Sequence, residues 1–272
     1  MFSNEKEKLE AFKNQLNEIL RKDNLNIKQR NKLEITELDN AREHTINNQQ
    51  FLLFEKSATS HIIPDIEELM RYISLFSTPS DLIHKDLVFL DIETCGSSEG
   101  AIILVGVVLY DDEEPKVVQA LARDYSEEQA IIEYMTHILE GRRVFITYNG
   151  KLFDIPAINL RCTLYQLKPL EPTIHIDLLN IARKRIPKRR LPNRKLTTLE
   201  YYLLDFEREA DIPGRLIPSI YHNFTRTGDA SGLARVIEHN AWDVISMVNL
   251  VPILLSVDSP KIEEIKNYWW GR

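Results

Sequence analysis

The chain has 272 residues, of which 43% are hydrophobic and 28% charged, with 9 Gly and 12 Pro. That composition excludes a disordered or collagen-like chain and leaves room for one large domain with an appendage. With 34 basic and 41 acidic side chains the net charge is −7, so indiscriminate coating of nucleic acid is excluded and any such binding must come from a local basic patch.

Residues 1–80 differ in texture from the rest. Leu9, Phe12, Leu16, Ile19 and Leu20 recur at helical spacing among Lys and Glu, which predicts an amphipathic helix. A polar stretch rich in Asn and Gln follows, then Phe51 to Phe54, and after Pro64 the apolar set Ile66, Leu69, Met70 and Ile73. We read 1–80 as a helical N-terminal appendage, either a solvated cap on the main domain or a partner-binding element. The main domain is expected over 85–258, with a tail at 259–272.

Past Thr78-Pro79-Ser80 the pattern turns to short apolar runs. Leu87 to Ile92, Ala101 to Tyr110 and Lys116 to Ala122 read as three strands, and their short connections favour antiparallel pairing. Ser126 and Gln129 form a capping-box pattern ahead of a helical face of Ile131, Tyr134, Met135, Ile138 and Leu139 that ends at Gly141. Val144 to Tyr148 reads as a fourth strand, Ile155 to Gln166 as a helix and Thr173 to Ile176 as a fifth strand. The remainder is helical: Thr197 to Leu204, Leu216 to Arg226 and Ser231 to Leu255, with a type II turn expected at Asp211-Ile212-Pro213-Gly214. This order predicts a mixed five-stranded α/β sheet flanked by helices.

Cys95 and Cys162 are too few for a disulfide framework and fit no metal-binding spacing, which favours a reducing compartment. The N-terminus has no apolar stretch behind a basic start, so no signal peptide is expected. The longest apolar runs fall short of the ~20 residues needed to cross a bilayer. A cytoplasmic protein without membrane association is expected.

Four acids stand out. Asp91 and Glu93 are two apart at a strand end, so strand periodicity puts both on one face, where they repel each other unless a cation or proton lies between them. A solvent-facing pair is the alternative. Asp154 precedes Ile155-Pro156 and suits a helix N-cap, a role compatible with holding a metal. Asp243 lies in a helical stretch, to the side of the face defined by Leu233, Ile237, Ala241, Val244 and Val248; exposure on a rim is its simpler explanation. Taken together, their positions suggest a two-metal site.

The order Asp91-x-Glu93-Thr94, then Tyr148-Asn149-Gly150-x-x-Phe153-Asp154-x-Pro156, then Asp243 resembles the three motifs of the DEDD 3′-5′ exonucleases of the ribonuclease-H-like superfamily. The second motif is most similar to the proofreading domains of family B DNA polymerases. Ile176-Asp177-Leu178-Leu179, the stretch from Arg208 to Gly214, and His239-Asn240-x-x-Asp243 resemble the bacterial YprB-type family. The likeness runs from about Asp86 to Val257. It implies a ribonuclease-H-like fold and two Mg²⁺ or Mn²⁺ ions ~4 Å apart, held by Asp91, Glu93, Asp154 and Asp243, which serve in-line hydrolysis of a phosphodiester. It further implies substrate contacts at Thr94 and Asn149, although an Asn-Gly pair closing a strand is also ordinary turn chemistry.

Superfamily members carry a Tyr four residues, or a His five residues, before the last Asp; here His239 stands four before Asp243. On a helix that spacing puts both side chains on nearly one face, so His239 is a candidate general base, with a packed structural His as the alternative. His175 and Asp177 read as strand-end and helix-start residues. Arg183 to Lys195 carries eight basic residues and no acid. Beside the carboxylates it reads as a track for a phosphate backbone, centred on Lys188, Arg189 and Arg190 and kept extended by Pro187 and Pro192. Tyr148 and Phe153 are either base-stacking or core residues, and Trp269 and Trp270 either pack the tail back or contact a partner.

The expected function is a 3′-5′ exonuclease acting on single-stranded DNA or RNA. The same metal site also admits a structure-selective endonuclease or RNA-processing nuclease. A nucleic-acid-binding module that no longer turns over is the rival from another class.

Overall fold

The computed structural model describes residues 41–58, 64–75, 81–111 and 114–267. The strands are β1 (Ala41–Ile46), β2 (Gln49–Ser57), β3 (Leu87–Thr94), β4 (Ile102–Leu109), β5 (Lys116–Leu121), β6 (Val144–Thr147) and β7 (Ile174–Asp177). The helices are α1 (Ile66–Ser74), α2 (Glu128–Ile138), α3 (Asp154–Tyr165), α4 (Leu178–Arg185), α5 (Leu196–Leu203), α6 (Ile217–Thr227), α7 (Leu233–Leu255) and α8 (Pro260–Asn267). The strands form one sheet in the order β1-β2-β5-β4-β3-β6-β7. Neighbours pair antiparallel from β1 across to β3 and parallel from β3 to β7.

Every residue of β4 is buried, as a strand covered on both faces requires. One face packs α2 and α3 over Leu90, Val105, Val107 and Phe145. The other face lies under α7, which crosses Phe89, Val108 and Ile146, while α6 and the start of α7 cover Leu52, Leu104 and Leu121. Because β3, β6 and β7 run parallel, their carboxyl ends collect at one edge, the usual place for ligands in such sheets.

The strands and helices expected after residue 85 are all present within a few residues of their predicted bounds. The sheet nevertheless has seven strands instead of five, because residues 41–57, read as part of a helical appendage, form β1 and β2 and join the sheet through β5. Phe51 to Phe54 are all buried, so no polar and apolar alternation marks β2 as a strand. The β1–β2 turn is Asn47-Asn48, both at positive φ (46° and 63°), the backbone of a two-residue hairpin that Asn tolerates. The helix read from Leu9 to Leu20 lies outside the described residues, as do Trp269 and Trp270. Within the tail, α8 buries Ile262 and Ile265 against the core.

Three local expectations are corrected. The entry to α2 is capped by Asp124, which accepts the Ser126 N–H at 2.8 Å, in place of a Ser126 capping box. Gly214 does not take the positive φ of a type II turn but opens a 3₁₀ turn, Gly214–Leu216. The basic run is not extended throughout: Arg183, Lys184 and Arg185 close α4, and Pro187 to Arg190 turns through an Arg190 N–H to Pro187 carbonyl bond of 3.0 Å. Three cations in a helix's last turn suit its negative end.

The crossing of α7 over the sheet depends on one small residue. Gly106 of β4 lies directly beneath Asn240, and a Cβ added there would overlap the Asn240 amide oxygen. Asn240 is fully buried and its oxygen accepts a bond from Gln119 Nε2 at 2.8 Å, so the side chain cannot swing clear. Gly106→Ala should therefore lower the thermal midpoint by about 3–10 °C, the range for overpacking in a domain of this size. Gly214→Ala, where a Cβ would meet nothing within 4 Å, should stay close to the parent in the same melting experiment. Equal midpoints for the two variants would show that α7 is not so constrained.

Candidate active site

Asp91 and Glu93 lie on the α7 face of β3, in phase with Phe89, while Leu90 and Ile92 face α2 and α3. Asp91 is aimed by α7: Asn240 Nδ2 donates to Asp91 Oδ2 at 2.8 Å and also lies 3.3 Å from the Asp91 carbonyl. Gln119 Nε2 in turn ties the Asn240 oxygen and the Ile237 carbonyl, each at 2.8 Å. A register shift between Glu93 and Thr94 ends the regular β3–β4 ladder beside these acids, where bulges commonly re-aim side chains.

Asp154 is the first residue of α3, not its N-cap. Its Oδ1 accepts the Ile92 N–H at 3.1 Å, which turns the carboxylate toward β3 between Asp91 and Glu93. The turn from β6 to α3 passes through Asn149 in the left-handed region, φ 69°. Buried Asp177 holds that turn, accepting the N–H groups of Asn149 at 3.0 Å and Lys151 at 3.3 Å while capping α4 through Leu179 at 3.1 Å. The helix-start role expected for Asp177 is therefore present, and the residue also shapes the turn that carries Asp154. His175 meets the Thr147 hydroxyl at 2.9 Å, and burial pushes its imidazole down to about 4.

Asp243 and His239 lie one turn apart on α7. One ligand atom each from Glu93, His239 and Asp243 falls within 4.8 Å of the others. The segment between α5 and α6 adds residues that were not singled out as site residues from the sequence. Arg208, its side chain only 3% exposed, donates to Glu200 and to Asp243 Oδ1 and lies 3.5 Å from Asp211 Oδ2. Asp211 Oδ1 meets His239 Nδ1 at 2.7 Å. The signal for this network was the Arg208 to Gly214 stretch, whose residue types carry no spacing that predicts pairing with a distant helix.

The electrostatics reflect the same convergence. Burial raises the Asp91 carboxyl well above the ordinary range, reinforced by the charges of Asp243, Glu93 and Asp154. Burial likewise raises Glu93, with Asp243 and Asp154 adding to the shift and Arg208 opposing it. Asp154 is pushed up to about 7, by burial first and then by Asp243 and Asp177, against the bond from Ile92. All four acids thus act on one another electrostatically, although Asp91 and Asp154 stand outside the group of Glu93, His239 and Asp243 whose ligand atoms lie within 4.8 Å of one another. Oxygen donors crowded into a poorly solvated pocket fit a hard divalent cation, which supplies the positive charge that they lack.

The other predicted site residues lie as follows. Thr94 is buried at the end of β3, its hydroxyl 3.5 Å from the Gly96 carbonyl. Phe153 and Tyr148 are both half-buried against the core, and the Tyr148 hydroxyl donates to the Arg194 carbonyl at 2.7 Å. Lys188 and Arg189 are exposed and Arg190 half-buried. A cleft of about 590 Å³ opens from His239, Asp243, Arg208 and Asp211 past Tyr201 to Lys195 and Pro192 at the end of the basic run. Lys188, Arg189 and Arg190 do not line it.

Residues 88–255 match the family profile described as RNase_H superfamily. The chain is 34% identical over 204 residues to the uncharacterized protein YprB of Bacillus subtilis (strain 168), which covers 70% of this chain and 49% of YprB, so the chain spans about half the length of that relative. Among solved structures, the family B DNA polymerase of Pyrobaculum calidifontis aligns with 66% of this chain and 26% of its own at 16% identity and a TM-score of 0.48. With its mixed α/β sheet and the profile match across most of its length, the chain belongs to the YprB-like family of the RNase H superfamily.

Proposed function

We propose that the chain is a metal-dependent 3′-5′ exonuclease that hydrolyses phosphodiester bonds of single-stranded DNA or RNA. The observation that carries this reading is the mutual approach of Asp91, Glu93, Asp154 and Asp243, each of the first three shifted upward in pKa by burial and by its neighbours' charges. Those four residues would hold two Mg²⁺ or Mn²⁺ ions, which when bound supply Lewis acidity and an activated water for in-line attack at phosphorus.

The chain's own groups do the rest. Asn240 and the Ile92 N–H keep Asp91 and Asp154 oriented, and Arg208 holds one oxygen of Asp243. Asp243 Oδ2 is left on the side of His239. His239 Nε2 stands 3.9 Å from Glu93 Oε1 and 3.7 Å from Asp243 Oδ2, too far for direct bonds and close enough for one water, seated beside the three atoms, to bridge them. In this reading His239 takes the proton from that water. The cleft leads substrate away toward Lys195, while Lys188, Arg189 and Arg190 attract the backbone from outside it. Thr94 and Asn149 are proposed to stand beside the terminal nucleotide. No helix among the described residues is long and apolar enough to cross a membrane; with Cys95 and Cys162 both free, a reducing, cytoplasmic setting fits.

The test is incubation of 5′-labelled single-stranded DNA and RNA with Mg²⁺ or Mn²⁺, beside the Asp154→Ala and Asp243→Ala proteins. A stepwise ladder that both variants lack is expected. Discrete internal cuts would contradict the exonuclease reading, and an equal ladder from either variant would remove that acid from the mechanism. Replacing Lys188, Arg189 and Arg190 together with Ala should weaken binding of single strands and lower the salt slope by up to about 0.7 for each phosphate that is no longer neutralised; an unchanged slope would take this patch out of the substrate path.

The carboxyl shifts also fix the pH dependence. A carboxyl whose pKa is higher folded than unfolded binds more protons in the native state, so its contribution to stability falls as pH rises between the two values. For Asp154 that window runs from about 4 in the unfolded chain to about 7 in the folded one. The metal-free protein should lose thermal stability from pH 5 to pH 8, Asp154→Asn should flatten the decline, and Mn²⁺ should restore more of it at pH 8 than at pH 5. Parallel melting curves for parent and variant would show that the carboxyl is not crowded as described.

A further inference from the structure

We infer that Asp211 is the positioning residue that sets the tautomer of His239 and points its free ring nitrogen into the acidic cluster. Asp211 Oδ1 lies 2.7 Å from His239 Nδ1. A carboxylate oxygen that close to a ring nitrogen needs a proton between them, and the only donor available is Nδ1–H. Arg208 Nη1 is the competing partner, but it stands 3.4 Å from Nδ1 and equally 3.4 Å from the His239 carbonyl, so it does not take the nitrogen from Asp211. With the proton on Nδ1, a neutral ring carries its lone pair on Nε2. That atom faces the gap between Glu93 Oε1 and Asp243 Oδ2.

Asp211 is itself held. Arg208 Nη1 lies 3.5 Å from Asp211 Oδ2, while the Arg208 guanidinium is anchored through Nε to Glu200 at 2.8 Å and also binds Asp243. One buried cation thus connects the orienting carboxylate, the acid beneath it and the last acid of the cluster. The Asp211 side chain also accepts its neighbour's N–H, Ile212 N to Oδ1 at 2.8 Å, which restricts its rotation. A carboxylate that fixes a histidine's tautomer in this way matters to proton transfer even though it never touches the reacting atoms.

The catalytic consequence rests on the nuclease reading, but the tautomer does not, and the experiment separates them. In the ¹⁵N-labelled, metal-free full chain, two-bond ¹H–¹⁵N correlation of the neutral imidazoles, assigned with His239→Phe, should show His239 protonated on Nδ1. Asp211→Asn, which can turn an amide N–H toward the ring, should move the proton to Nε2, and Asp211→Ala should remove the preference for Nδ1. With single-stranded substrate, Asp211→Asn should lower kcat at least ~30-fold, within the range for a compromised acid-base group, while KM changes little; Asp211→Glu should recover part of the loss. A parent ring protonated on Nε2, or a tautomer unchanged in Asp211→Ala, overturns the inference. An inactive parent protein that still shows Nδ1–H would sink the nuclease reading and leave the positioning role standing.

Discussion

Four carboxylates brought within electrostatic reach of one another near the end of β3 repel one another, and the architecture around them answers that repulsion. Burial and mutual charge push Asp91, Glu93 and Asp154 upward together. The hydrophobic effect does not gather these charged side chains directly; it does so through the burial of the apolar residues that flank them. Leu90 and Ile92 bury one face of β3, Ala241, Val244 and Val248 seat α7 across the other, and Ala157 and Ile158 fix α3. The acids ride on elements that apolar packing holds in place.

Compensation comes from donors of three kinds. A backbone N–H from Ile92 serves Asp154, a buried amide from Asn240 serves Asp91, and the Arg208 guanidinium serves Asp243. Each bonds an acid without filling the space among them. Glu200, 1% exposed, balances Arg208 from behind, as a buried cation requires. The residual negative charge is what makes the cluster a candidate cation site and not merely a set of satisfied side chains. Gly106 belongs to the same scheme at one remove, since only a residue without Cβ lets Asn240 reach across β4 to Asp91.

Much of this was legible in the sequence because it is local. Asp91 and Glu93 two apart on a strand, His239 and Asp243 four apart on a helix, and the strand-turn-helix around Asp154 are short-range patterns that periodicity reads directly. The hairpin of β1 and β2 was not, because the four consecutive buried residues Phe51 to Phe54 show no alternation and the Asn47-Asn48 turn sat within a stretch rich in Asn and Gln. The partners of the acids were hidden for a different reason. Arg208 lies 35 residues from Asp243 and Asp211 lies 28 from His239, in a connection whose path no propensity determines. The basic run illustrates an intermediate case: its charge was plain, but Arg185 turns out to bond the Leu254 and Val257 carbonyls at 2.8 Å each, locking the end of α7 and not reaching for phosphate.

The most direct test of a shared metal site is Mn²⁺ anomalous diffraction from crystals grown or soaked with the ion. Anomalous peaks bonded to oxygens of Asp91, Glu93, Asp154 and Asp243 at about 2.0–2.3 Å are expected, as is their disappearance in Asp154→Ala crystals prepared alike. Saturating Mn²⁺ that leaves this cluster without a peak, in crystals where the side chains keep the positions described, would contradict it.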